Sequence, residues 1–144
     1  MQPLKLVALD EQDLAIVSAH AQDAVLKVAD IAWLAKERRV LLTMNRFVWE
    51  KKARLFSREH ERRRAVLHFE GVSQVRSTGI ERGRGDAVLE LLAIRFIPGA
   101  APAGEIELDF AGGATMVLSV DYIEARLADL GGAWATAARP RHGV

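Results

Sequence analysis

The side chains best suited to chemistry in this chain are its cations and carboxylates, and they are unevenly spread. Asn45 to Arg64, NRFVWEKKARLFSREHERRR, holds eight Lys and Arg against three Glu, a net of +5, while the remainder holds twelve against sixteen, a net of −4. Guanidinium and ammonium groups seek phosphate and carboxylate oxygens, and they release counterions when they neutralise a polyanion. Phe47, Trp49 and Phe56 interleave with the charges and are ring types on which bases stack. The segment therefore points to an anionic partner met by Arg46, Lys51, Lys52, Arg54 and Arg58, with Trp49 beside them. An anionic protein or phosphorylated ligand is one class of partner, and single-stranded RNA is the alternative. A plainer reading makes the segment solvated strand and loop, with Phe47 and Trp49 turned into the core. In an intermediate arrangement, Arg62 and Arg64 face the carboxylates of Glu105, Glu107 and Asp109, within the protein or across a homodimer.

The other reactive side chains form no constellation. His20, His60, His68 and His142 are scattered singly, without the i, i+2 or i, i+4 spacing of a metal-binding face, so no metal site is expected. Glu105, Glu107 and Asp109 share one strand face about 7 Å apart, close enough for paired acid–base work, yet the same alternation describes a solvated strand. Glu81 to Asp86, ERGRGD, has glycines at 83 and 85 but lacks a phosphate-cradle spacing. The serines lack the flanking glycines of a nucleophile elbow. No catalytic residue and no cofactor are expected. An enzyme would have to assemble acids distant in sequence, for instance Asp30 or Asp121 with Arg46.

The chain has 144 residues, half of them apolar and 27% charged, with no cysteine. This suits a single globular domain able to fold without disulfides or thiolate-bound metal. No apolar run approaches the roughly 18 residues that span a bilayer, and the N-terminus reads as neither leader nor anchor. The expected location is cytoplasmic, with no membrane partner.

Elements that would position the charged segment follow from periodicity. Leu4 to Leu9 reads as a short strand. Asp10 caps a helix over about Glu11 to His20, with Asp13 at its third position and Leu9 and Leu14 spaced as a hydrophobic staple. Ala24 to Val28 and Ile31 to Ala35 are strand-like, with an irregularity at Ala29 and Asp30. Lys36 to Arg39 is a turn, and Val40 to Trp49 is a long strand returning as a hairpin. Glu50 to Glu61 is a loop, and Arg62 to Phe69 is a strand with Ala65, Leu67 and Phe69 on one face. Gly71 breaks it before a weaker strand, Val72 to Ser77. Ala87 to Ile97, apolar almost throughout, is buried on both faces or crosses a barrel corner. Glu105 to Phe110 and Thr115 to Val120 form a hairpin about Gly112 and Gly113. Asp121 and Glu124 open a helix reaching about Leu130, with Ile123, Leu127 and Leu130 as its inner stripe. Residues 133 to 144 are a tail.

The expected architecture is α+β and mostly antiparallel β. About seven strands from Ile31 onward form a partly open pleckstrin-homology-like barrel, with a short N-terminal helix and a C-terminal capping helix. The likeness lies in element order; a split barrel or a two-layer sandwich gives nearly the same string. The strings His20-Ala21-Gln22-Asp23-Ala24, Lys36-Glu37-Arg38-Arg39 and Asn45-Arg46-Phe47-x-Trp49-Glu50 resemble those of a family of small bacterial single-domain proteins defined as a domain of unknown function. The resemblance covers nearly the whole chain. It implies a cytoplasmic bacterial protein, transfers no catalytic residue, and singles out Asn45, Arg46 and Trp49.

Overall fold

A computed structural model describes residues 3–48 and 62–130. Ten strands and one helix follow in the order β1 (Lys5–Ala8), α1 (Glu11–Ala21), β2 (Val25–Lys27), β3 (Ile31–Leu34), β4 (Arg39–Phe47), β5 (Arg62–Glu70), β6 (Val72–Thr78), β7 (Val88–Pro98), β8 (Gly104–Phe110), β9 (Thr115–Val120) and β10 (Ala125–Asp129). All pairings are antiparallel, in the order β1-β10-β5-β4-β2-β7-β8-β9-β6, with β3 also on β4. The path is open, ending at β1 and β6.

Two bends fold the sheet over its own core. At the first, β5 runs into β6 through Gly71, whose φ of +68° lies in the left-handed region. A Cβ at Gly71 would come within 2.8 Å of the Tyr122 ring, so both backbone and space require glycine. At the second, β7 leaves β2 and joins β8, with a register shift between Leu91 and Ala93. Next to that shift the Ile94 N–H donates to Ser18 Oγ on α1 at 2.9 Å. The long apolar run is thus a strand crossing a corner, and not one buried on both faces: Val88, Leu92 and Ile97 are exposed.

Alternation supplies the inner face. Val40, Leu42 and Met44 of β4 pack with Ala65, Leu67 and Phe69 of β5, and Ile106, Leu108 and Phe110 of β8 with Met116, Leu118 and Val120 of β9. Helix α1 covers this interior with Leu14, Val17 and Ala21. Its cap forms as read from sequence, Asp10 Oδ1 accepting the Asp13 N–H at 2.8 Å. The staple does not, because Leu9 remains 64% exposed. The irregularity between β2 and β3 is a 3-10 turn, Val28–Asp30.

The expected barrel is corrected in two respects. The described residues form ten strands, eight of them from Ile31 onward where about seven were expected, in one sheet that is not closed. The expected helix from Asp121 to Leu130 is strand β10, wedged between β1 and β5. Ala125, Leu127 and Asp129 alternate inward there, and Asp121 serves a surface ion pair with Arg38 at 2.7 Å. Short segments with apolar residues at both spacings are decided by pairing partners, and two waiting edges outweigh a helical stripe. Among the described residues no helix is long and apolar enough to cross a membrane. The tail expected at 133 to 144 lies outside the described residues.

Candidate functional site

The charged segment begins where β4 and β5 end together. In register, Asn45 pairs with Arg64, Arg46 with Arg63, and Phe47 with Arg62. Period-two alternation divides these six side chains between two faces. Asn45, Phe47, Arg62 and Arg64 take the outward face, and Arg46 and Arg63 the inward one.

Inward, Arg46 continues the row Val40, Leu42, Met44 and is only 1% exposed. Its guanidinium meets Asp129 of β10 side-on, Nε to Oδ1 at 2.8 Å and Nη2 to Oδ2 at 3.0 Å, and Nη1 donates to the Phe47 carbonyl at 3.1 Å. Asp129 Oδ2 also accepts the Leu4 N–H at 2.9 Å, which ties the start of β1 to the same group. Burial alone would raise the Asp129 carboxyl. The hydrogen bonds from Arg46 and Leu4, with the charges of Arg46 and Arg63, outweigh it and hold the carboxyl below its ordinary value. The Asp129 carboxylate thus feels the charge of two guanidiniums.

Outward, the arginines are held by weaker partners. The Arg62 guanidinium lies 4.4 Å from the centroid of the Phe47 ring, a cation–π contact. Arg64 donates to Asn45 Oδ1 at 3.2 Å and reaches a carboxylate, Asp30 Oδ1, only at 3.9 Å. The opposite end of the same ribbon differs. There Arg39 meets Glu70 at 2.9 Å, and His68 hydrogen-bonds the same carboxylate. Along the outward face, guanidinium is closely paired with carboxylate at one end and only loosely at the other.

The residues singled out from sequence are distributed accordingly. Arg46 is buried and committed to Asp129, correcting the expectation that it faces a partner. Phe47 is half-buried on the outward face, correcting its assignment to the core. Trp49, Lys51, Lys52, Arg54 and Arg58 lie outside the described residues. Arg62 and Arg64 do not face the acidic ladder within the chain. Arg95 takes Glu107 at 2.5 Å and Asp109 at 3.0 Å, and Arg76 takes Glu105 at 2.7 Å. Nor do Asp30 and Asp121 meet Arg46: they face Arg64 and Arg38. Among the described residues no group of His, Asp and Glu is arranged to hold a metal ion.

Asp129 was not a candidate from sequence. One signal could have found it: if 125–129 is read as a strand, Asp129 falls on the same face as Ala125 and Leu127, and a buried carboxylate there demands a cation of matching parity. Arg46 is the one cation in the β4 inward row.

These features define a mostly antiparallel β domain with one helix, in which the β4–β5 ribbon ends in an arginine cluster anchored by a buried ion pair. The chain belongs to the family described as a protein of unknown function, DUF2948, whose model matches residues 4–142. Neither a curated protein nor a solved structure matches it.

Proposed function

We propose that this protein is a non-enzymatic binding module of the bacterial cytoplasm that receives an anionic partner, an acidic protein surface or a phosphorylated ligand, at the arginine end of the β4–β5 ribbon. The observation that carries the reading is the outward pair Arg62 and Arg64. They sit on adjacent alternate positions of one strand, and the nearest ion-pair contact to either among the described residues is Asp30 at 3.9 Å. The buried Arg46–Asp129 pair beneath them supports the reading. It fixes the ribbon end without neutralising its surface, and a bidentate contact specifies geometry as well as energy. By sequence, the connection from Val48 to Arg62 carries the further cations Lys51, Lys52, Arg54 and Arg58.

The cation–π contact favours this reading over RNA. Arg62 already occupies the neighbourhood of Phe47, the one described member of the three rings, with Trp49 and Phe56, on which a base could stack. Anisotropy titrations with a labelled poly-glutamate peptide, a phosphopeptide and a single-stranded RNA separate the classes. Binding to peptide that is weakened at least about tenfold in Arg62→Glu with Arg64→Glu is expected. Preferential RNA binding with a log–log salt slope of about −0.7 for each phosphate would support the alternative. Retention of every co-purifying partner by the double variant would refute the site.

A further inference from the structure

Away from the ribbon end, β3 and β6 stand apart and the space between them is a cleft of about 370 Å³. Its walls are Ile31 and Trp33 from β3 and Val75 and Ser77 from β6. Met116 of β9 also lines it, and the turn after β6 contributes Ile80 and Arg82. The size falls in the range of small-molecule sites, and the composition matches them: apolar walls with very few polar groups.

The cleft is built rather than left over. The turn that forms its rim is stitched to the 3-10 turn opposite, Ala29 N–H donating to the Gly85 carbonyl at 3.0 Å and Val28 N–H to that of Ala87 at 2.9 Å. Gly85 lets the two approach closely, since a Cβ there would sit 3.2 Å from that of Ala29. Gly79 does the same at the other end of the turn, with a φ of +77° and an added Cβ 3.2 Å from the Ala114 backbone. Trp33 keeps 36% of its surface open beside this space.

Its charge is of one sign. Arg82 is the single ionisable residue among the described residues that line it. The neighbouring arginines have carboxylates, Arg76 on Glu105 and Arg84 on Glu81 at 3.5 Å. Arg82 makes no ion pair with any described residue, and the Ser77 hydroxyl makes no hydrogen bond with one.

We infer that this cleft binds a small monocarboxylate with an apolar body. The body lies against Trp33, Ile31 and Met116, and the carboxylate meets the Arg82 guanidinium at the mouth, with Ser77 as a second donor. One guanidinium with no opposing acid selects a monoanion. The predominantly apolar wall selects a hydrocarbon body over a sugar or nucleotide, most of whose hydroxyls would lose water without finding partners.

Nitrogen-labelled full-length protein titrated with 4-phenylbutanoate, and separately with octanoate, tests this. The Trp33 indole signal is assigned by its loss in Trp33→Phe. At least one acid should move it saturably, while 4-phenylbutanol or octanol, lacking the charge, should bind about tenfold more weakly. Arg82→Gln should reduce the acid to the affinity of the alcohol. Ser77→Phe, which fills the cleft, should abolish both; if it fails to fold, Ile80→Glu at the rim serves instead. The inference is overturned if neither acid moves the Trp33 signal, or if acid and alcohol bind alike. It is equally overturned if Arg82→Gln, with its amide spectrum otherwise unchanged, leaves acid affinity intact. Because the ribbon-end arginines play no part in the titration, its outcome is independent of their role.

Discussion

Two charged faces of the same sheet handle their charge in opposite ways. On β8, three carboxylates that look free in sequence are matched from elsewhere in the sheet, Glu107 and Asp109 by Arg95 of the adjacent β7 and Glu105 by Arg76 of β6, which lies beyond β9. On the ribbon end of β4 and β5, Arg62 rests on a ring and Arg64 reaches its carboxylate at the limit of contact. The ladder is satisfied within the chain, and the arginine cluster is satisfied chiefly underneath, where Asp129 is buried. Clustered charge thus signals a partner only after cross-strand neighbours have been counted. By that measure the acidic ladder does not qualify, and the basic end is the face on which the proposed partner is to be tested.

The contrast can be broken most forcefully at its buried member. Asp129→Ala removes the carboxylate that meets the buried Arg46 guanidinium and should cost about 3–5 kcal/mol, read as a lowered urea midpoint. Arg46→Met combined with Asp129→Leu should recover most of that loss, because the penalty belongs to the buried charge that loses this carboxylate. A loss from Asp129→Ala no larger than that of an exposed pair would erase the distinction between the two faces.

Acid sharpens the same point. The Asp129 carboxyl is held below its ordinary value, so its contribution is complete above the unfolded-state carboxylate range and is lost as pH falls through the lower folded value. Urea midpoints followed downward from neutral pH should fall more steeply on the acid side for the natural chain than for the double variant Arg46→Met with Asp129→Leu, which has no carboxylate to protonate at this position.

Smaller effects belong to the surface. Arg62→Glu with Arg64→Glu should weaken the anionic peptide at least about tenfold, or roughly 1.4 kcal/mol, with little change in unfolding. Arg95→Ala, although it frees two carboxylates, should cost less than about 1 kcal/mol because the group is exposed, and should leave peptide binding untouched. A loss of binding in Arg95→Ala would place the partner on the ladder face instead.

Much of the sheet was legible one strand at a time. The β8–β9 hairpin, the inward faces of β5 and β8, the Asp10 cap and the break at Gly71 each follow from local alternation or turn chemistry. The candidate site was only half legible. The excess of cations between Asn45 and Arg64 is visible as composition, but Arg46 was grouped with the exposed cations although it shares the parity of Val40, Leu42 and Met44. Its burial becomes reasonable only with a partner, and that partner sits 83 residues away in a segment whose apolar spacing also fits a helix.

Local physics therefore settled where the chain turns, which strand faces are apolar and where positive charge accumulates, since each depends on neighbours a few residues apart. Tertiary structure decided that 125–129 is a strand, because two open edges, β1 and β5, could both satisfy its backbone. That choice carried Asp129 beneath Arg46, converting one expected ligand contact into a structural ion pair. It left Arg62 and Arg64 on the other face of the same ribbon, one against the Phe47 ring and the other at the limit of contact with Asp30.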